Sequence, residues 1–173
     1  MPPVPARIHQ KVVIALAARI HRVIEGTDCE VYAAPFDVRL PDRDEADEVV
    51  TTVVHMDISV ICDPAKLDDK GCRGIPDWII EVLSPATAAK DQIQKRALYE
   101  RHGVREYRLV HPVDRILFIY QLGADGCGKP QVLPTSGRCD PVAVPGLNYR
   151  LGPYLYPHGG DLLAAIEGTS RGP

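Results

Sequence analysis

The chain has 173 residues and a formal net charge of −3, and 45% of its residues are hydrophobic and 25% charged. This composition is ordinary for a globular protein, and the length suits about one domain with a real core. No run approaches the roughly 18 apolar residues of a membrane span, and no signal peptide is apparent. We therefore expect a cytoplasmic protein with one domain over residues 1–168 and a short flexible tail at 169–173.

The cysteines give no sign of a metal site or of a disulfide framework. None of them forms a Cys-x-x-Cys pair, and their odd number argues against complete pairing. We expect reduced structural thiols, since free cysteine is commonly buried as a small apolar residue. The five positions are Cys29, Cys62, Cys72, Cys127 and Cys139.

Charge is distributed unevenly along the chain. Residues 37–69 contain ten acids and three bases, whereas residues 90–115 contain seven bases and four acids. Phosphate binding depends on local rather than total charge, so the basic stretch permits a polyanion to dock. A solvated helix face explains the same charges and is the commoner situation.

The first half of the chain predicts one helix followed by strands. Apolar residues recur at helical spacing from Val12 to Ile24 and predict a helix over about 6–25, which ends at Gly26. Two short strands and a polar loop are predicted next, at 29–33, 37–40 and 41–50. Residues 53–62 alternate in polarity and predict a strand, with Asp57 on its less apolar face.

The strand from Trp78 to Ser84 is apolar on both faces and contains one ionisable residue, Glu81. Burying a lone carboxylate costs several kcal/mol unless another group compensates its charge. Glu81 therefore needs a partner, and a metal ion or a lysine is the natural one.

A second helix is predicted from Ser84–Pro85 to about His102 and ends at Gly103. Strands at 106–110 and 116–122 form a predicted hairpin, and beyond Gly123 we expect short edge strands in irregular structure. The predicted order is therefore one helix, a block of strands, a second helix and then strands again.

Three residues of these elements could form one site: Asp57, Glu81 and Lys95. The two acids are 24 residues apart in the sequence, so a loop can return the chain and place them on neighbouring strands. Two carboxylates within about 4–5 Å suit Mg²⁺, which also takes waters and a substrate phosphate. Such an ion activates water and stabilises the charge on a phosphodiester, and Lys95 would add positive charge.

Geometry argues against a different acid pair. Asp77 precedes Glu81 by four residues, which on one strand corresponds to about 13 Å and is too far to share an ion. We interpret Asp77 as the residue that opens the strand.

The supporting candidates each have a simpler alternative. Lys95 lies on the helix arc that can face the sheet, but Asp91 is its i, i+4 neighbour, and the two could form a surface ion pair worth about 0.3–0.5 kcal/mol. His9 could reach the site from the first helix, or it could cap or pack that helix. His55 shares the face of Asp57 but suits a solvated strand position.

Several of these segments resemble the Uma-two family of the PD-(D/E)XK restriction-endonuclease-like superfamily. The resemblance runs from about Pro2 to Leu122. Its most specific parts are Asp57–Asp63, Gly74–Pro85, Asp91 and Lys95 leading to Tyr99, Gly103–Val104 and Glu106–Tyr107. It implies an α/β (α+β) sandwich with a restriction-endonuclease-like αβββαβ core, in which helices flank a mixed central sheet. It also implies that Asp57 and Glu81 are metal ligands.

The resemblance also implies that the superfamily's lysine, which would fall on Leu83, is replaced by Lys95 on the next helix. Met56, Arg108 and His111 depart from the family pattern, and none of these changes removes a ligand. Relatives usually carry a further N-terminal segment with an acidic residue, so we expect either a misassigned start here or a site with one carboxylate fewer.

The leading hypothesis is a Mg²⁺- or Mn²⁺-dependent endonuclease that hydrolyses DNA phosphodiester bonds. One alternative is a nuclease-fold module that binds nucleic acid or has a regulatory role, and that cleaves only weakly. Another is a structural dimer in which Glu81 merely pairs with Lys95. A homodimer is also expected for duplex cleavage, which needs two centres.

Overall fold

The computed structural model describes residues 6–84, 88–123, 126–135, 138–139, 141–142 and 149–150. The predicted tail and the end of the predicted domain lie outside these residues. The helices are α1 (Arg7–Ile24) and α2 (Ala88–Arg101), with 3-10 turns at Asp47–Val49 and Pro64–Lys66. The strands are β1 (Glu30–Ala33), β2 (Val38–Arg39), β3 (Val53–Val54), β4 (Ile58–Ile61), β5 (Leu67–Asp68), β6 (Gly71–Arg73), β7 (Trp78–Val82), β8 (Glu106–His111), β9 (Ile116–Gly123), β10 (Gly126–Cys127), β11 (Gln131–Pro134), β12 (Arg138–Cys139) and β13 (Tyr149–Arg150).

The main sheet is mixed, as predicted. Its strand order is β1-β4-β7-β8-β9-β10, with β11 also paired to β9. Among the described strands of this sheet, β7 and β8 are the one parallel pair, and α2 is the crossover between them, since parallel neighbours cannot be joined by a tight turn. A smaller sheet has the order β3-β2-β6-β5, and β12 pairs with β13.

Helices and the small sheet cover the two faces of the main sheet. The apolar face of α1 packs on one face, where Trp78, Ile80 and Val82 point. Tyr99 of α2 and residues of the small sheet pack on the other face, with Ile79. Because β7 is buried on both faces, its residues are apolar apart from Glu81.

Both helices end where a glycine takes up the left-handed conformation. Gly26 has φ 82° and Gly103 has φ 80°, and both positions were predicted as helix ends. At the end of α2 the backbone N–H of Val104 donates to the carbonyl of Tyr99 at 3.0 Å. None of the helices in these described segments is long and apolar enough to cross a membrane.

The alternating strand predicted over 53–62 is in fact two strands. β3 pairs with β2 in the small sheet, whereas β4 pairs with β1 and β7 in the main sheet. Met56 therefore packs in a different cluster from Ile58, although alternation would place them on one face. All four residues of β4 are buried, because both faces of the main sheet are covered.

The prediction of reduced thiols is wrong for Cys29 and Cys62, which form a disulfide. Cys29 directly precedes β1, and Cys62 directly follows β4. In the antiparallel pairing of these strands Glu30 is opposite Ile61. Continuing this register by one position places the two cysteines opposite each other. Cys72 is a free, buried thiol, and burial raises its pKa to about 11. The side chains of the other two cysteines lie outside the described residues.

Candidate metal centre

Glu81 faces α2 from the middle strand of the main sheet. Side chains alternate across a strand, so Glu81 lies on the same face as Ile79 and opposite to Ile80 and Val82. The residue is buried, with 6% of its surface exposed. Helix α2 starts shortly after β7 and returns over this face, which brings basic and polar side chains to the carboxylate.

Two donors of α2 bind the same oxygen of Glu81. Lys95 Nζ donates to Oε1 at 2.9 Å, and the Tyr99 hydroxyl donates to Oε1 at 2.8 Å. The two residues are four apart, so they lie on one helix face on consecutive turns. Lys95 is thus the partner that a buried Glu81 needs, and Tyr99 is a second partner.

Burial raises the pKa of Glu81, and this effect exceeds the opposing effect of the Lys95 charge. The nearby charge of Asp57 raises the pKa of Glu81 further. Burial and the Glu81 carboxylate also raise the pKa of Tyr99, so its hydroxyl stays protonated and acts as a donor.

Asp57 lies next to Glu81, at the start of the neighbouring strand β4. In the antiparallel pairing of β4 with β7, Ile58 is opposite Ile80, and continuing this register by one position places Asp57 opposite Glu81. Side chains directly opposite one another share a face and are about 4.5–5.5 Å apart at Cβ. The two acids predicted to form the site are therefore neighbours, with Asp57 directly before β4 and Glu81 on β7.

The protein engages one oxygen of Asp57. Oδ2 accepts the backbone N–H of Val82 at 2.8 Å and lies 3.1 Å from His9 Nε2. Burial alone would raise the pKa of Asp57, but the hydrogen bonds from His9 and Val82 and the charges of His9 and Lys95 outweigh it. The pKa of Asp57 is therefore below its ordinary value, and the group is ionised at neutral pH.

His9 reaches this site from the first turn of α1. Its hydrogen bond with Asp57 is the main cause that raises the pKa of His9, against the opposing effect of burial. The structure thus brings His9, Asp57, Glu81, Lys95 and Tyr99 together at one end of β4 and β7.

Other candidate residues lie elsewhere or outside the described residues. His55 Nε2 is 2.6 Å from Asp37 Oδ1 in an exposed pair, and the structure gives it no contact with Asp57. Asp91 belongs to α2, but its side chain is not among those described. Asp77 lies at the opposite end of β7 and accepts the backbone N–H of Cys62 at 2.9 Å, in keeping with its prediction as a strand-opening residue.

The carboxylates fit a hard divalent cation. Asp57 Oδ2 and Glu81 Oε1 are engaged by protein donors, and the second oxygen of each acid accepts no hydrogen bond in the described contacts. Two carboxylates are a usual protein contribution to a magnesium site, where waters and substrate phosphate complete the shell. The described part of the chain contains no cluster of three or more His, Cys, Asp or Glu residues that could hold a metal.

Tyr99 was missing from the predicted site. The sequence did contain a signal for it, because Tyr99 is four residues after Lys95 and shares its arc of the helix. An aromatic residue on the sheet-facing side of a helix is commonly only a core residue, however, and spacing does not reveal a hydroxyl contact.

Comparison with known proteins agrees with this fold. A solved structure described as "a putative nuclease belonging to DUF820", from Anabaena variabilis, superposes with a TM-score of 0.69 at 17% identity, covering 88% of this chain and 83% of that one. This similarity shows the shared fold.

Comparison of sequences identifies a relative of this chain and the family to which it belongs. A protein of Synechocystis sp. described as uncharacterized is 26% identical over 121 residues, and the match covers 68% of this chain and 59% of the relative, so the chain spans little more than half of that protein. The model of the Uma2 family, described as "Putative restriction endonuclease", matches residues 1–151. The resemblance seen in the motifs is thereby confirmed, and the chain belongs to the Uma2 family.

Proposed function

We propose that this protein is a metal-dependent endonuclease that hydrolyses phosphodiester bonds in DNA. The observation that supports this most is the placement of Asp57, directly before β4, beside Glu81 on the neighbouring strand β7, with Lys95 donating to Glu81. The membership of a family described as restriction endonucleases supports the same substrate class.

Asp57 and Glu81 would hold Mg²⁺ or Mn²⁺ through the oxygens that accept no hydrogen bond from the described residues. When bound, such an ion supplies a water of lowered pKa and neutralises charge on the phosphate. Asp57 is suited to this role because its pKa is lowered, so it is already ionised. Glu81 has a raised pKa, and a cation beside it favours its ionised form.

Lys95 would act on the substrate. Its side chain is one-third exposed, at 33%, whereas that of Glu81 is only 7% exposed, so the ammonium lies between the buried acid and solvent. From this position Nζ can turn towards a phosphate oxygen and stabilise the charge that develops during attack. His9 holds Asp57 through Oδ2 and restricts its rotation.

The test is cleavage of supercoiled plasmid and of single-stranded DNA with Mg²⁺ or Mn²⁺, for the wild type and Glu81→Gln. The amide keeps an acceptor for Lys95 and Tyr99 but lacks the charge that binds a cation, so we expect a loss of at least about 10³-fold in a folded protein. Exposed Glu48→Gln is the matched control and should cleave like the wild type.

Equal nicking by wild type and Glu81→Gln would identify a contaminant and reject the proposal. DNA binding without cleavage by the wild type would instead support the nuclease-fold binding module. Conversion of plasmid directly to the linear form, rather than to nicked circles, would indicate two centres acting together as a homodimer.

A further inference from the structure

Tyr99 makes a contact that core packing does not require. The residue is 1% exposed, and its ring packs edge-on against Tyr107 with centroids 5.0 Å apart. Phenylalanine could fill the same space. The hydroxyl instead reaches Glu81 Oε1 at 2.8 Å, which is the acid of the proposed metal site.

The hydroxyl of Tyr99 can orient Glu81 in a way that Lys95 cannot. The terminal torsion of a glutamate is broad, so the orientation of its carboxylate depends on its hydrogen bonds. Lys95 reaches Oε1 from a flexible, partly exposed side chain. Tyr99 reaches it from a buried ring with few torsions, so its donor stays in place when Lys95 turns towards a phosphate.

The same arrangement occurs on Asp57, where fixed donors also engage a single oxygen. The backbone N–H of Val82 donates to Oδ2 at 2.8 Å, and His9 contacts the same atom. On each acid the fixed donors therefore take one oxygen, and the other accepts no hydrogen bond among the described residues.

We propose that Tyr99 is a positioning residue for Glu81. By binding Oε1 it directs Oε2 towards the cation, so that Glu81 and Asp57 each contribute a single oxygen. This inference rests on the proposed function, because it concerns how the chain's own residues prepare that site for Mg²⁺ or Mn²⁺.

The test compares Tyr99→Phe with the wild type in Mn²⁺ binding without DNA, followed by the electron paramagnetic resonance of free Mn²⁺ or by calorimetry. Loss of a hydrogen bond to a metal ligand typically weakens metal affinity about tenfold or more, and we expect a rise in Kd of about tenfold. The Mn²⁺ concentration for half-maximal cleavage should rise by the same factor, while cleavage at saturating Mn²⁺ stays within about threefold of wild type.

Tyr120→Phe is the matched control. Tyr120 stacks on Tyr107 with centroids 5.8 Å apart, so it belongs to the same aromatic group but has no contact with Glu81 in the described structure. Its Mn²⁺ affinity should equal that of the wild type. In a Glu81→Gln background, Tyr99→Phe should change Mn²⁺ affinity no further, since the hydroxyl acts through Glu81.

Several outcomes would overturn the inference. Equal Mn²⁺ affinity in Tyr99→Phe and wild type would show that the hydroxyl does not position the ligand. Loss of the folded state in Tyr99→Phe, seen by thermal denaturation, would assign the hydroxyl a structural role instead. If the wild type fails to bind Mn²⁺, or Glu81→Gln binds it equally well, the proposed function itself fails.

Discussion

Two buried acid–base pairs lie on opposite faces of the main sheet, and their acids differ in how completely the protein satisfies them. On the α1 face, Glu106 pairs with Arg108, and their side chains are 0% and 1% exposed. The second oxygen of Glu106 accepts the backbone N–H of Val142 at 2.7 Å. On the α2 face, Glu81 pairs with Lys95, and in the described part of the chain only one of its oxygens accepts hydrogen bonds.

The difference distinguishes a structural pair from the pair at the proposed metal site. Glu106 has donors on both oxygens, and the Arg108 guanidinium also lies over the Trp78 ring at 4.9 Å, so the Glu106 carboxylate is satisfied within the core. Glu81 has a partly exposed partner and a raised pKa, which is the kind of incomplete arrangement found at functional sites.

The largest expected effect on stability comes from the Glu106–Arg108 pair. Arg108→Met should lower the free energy of unfolding by about 3–5 kcal/mol, because it leaves the Glu106 charge buried without compensation. Lys95→Met should cost only about 1 kcal/mol, since Glu81 keeps its bond to Tyr99 and can take up a proton. Urea denaturation at neutral pH measures both values.

The double variant Glu106→Gln with Arg108→Met is the control for this comparison. Removing both charges should recover at least half of the loss, because no uncompensated charge remains. Equal losses in Arg108→Met and Lys95→Met would contradict the distinction between the two pairs.

The two ends of β4 also differ, since Asp57 directly precedes the strand and the disulfide-bonded Cys62 directly follows it. Cys29→Ser with Cys62→Ser should lower the free energy of unfolding by about 3 kcal/mol, because a crosslink over a separation of 33 residues no longer restricts the unfolded chain. Cleavage and Mn²⁺ affinity should stay within about twofold of wild type, since Asp57 lies at the opposite end of the strand. Denaturant titrations with and without reductant, beside the double variant, measure the effect.

A loss of Mn²⁺ affinity on reduction would show that the two ends of β4 are coupled. The same titrations on Cys72→Ser provide the control, because this buried thiol forms no crosslink.

The sequence predicted the elements well where one pattern covers a whole element. The bounds of α1, β7, β8 and β9 agree with expectation to within one or two residues, because each has an unbroken apolar period. The alternation of polar and apolar residues gave a wrong prediction at residues 55–57. There the alternation continues, although the chain leaves the small sheet after β3 and enters the main sheet at β4. Periodicity describes the faces of a strand but not the sheet to which the strand belongs.

Contacts across strands were the least predictable from sequence. The disulfide depends on the register of β1 with β4, and the sequence separation of 33 between the two cysteines conceals that register. Glu81 could be singled out because a buried carboxylate demands a partner, and Asp57 because it lies on a predicted strand that a loop can place beside that of Glu81. The role proposed for Tyr99 depends on a hydroxyl position that only a structure provides.

The smallest expected effect concerns two histidines that each contact an aspartate. The pKa of His9 is raised by Asp57, so the stability that this pair contributes is fully present below the unfolded pKa of about 6.5 and is lost as the pH rises through the folded value. In EDTA, His9→Gln should therefore be less stable than wild type by about 1 kcal/mol at pH 5.5, with the difference shrinking towards pH 8.5.

His55→Gln is the matched control because His55 contacts Asp37 with both side chains 55% exposed. An exposed pair of this kind is expected to change stability by less than about 0.5 kcal/mol at any of these pH values. Thermal denaturation of the three proteins across the pH range measures the difference. A pH-independent loss of stability in His9→Gln would mean that His9 supports α1 by packing. Of the two described contacts of Asp57 Oδ2, the hydrogen bond from the Val82 backbone N–H would then be the one that fixes the carboxylate.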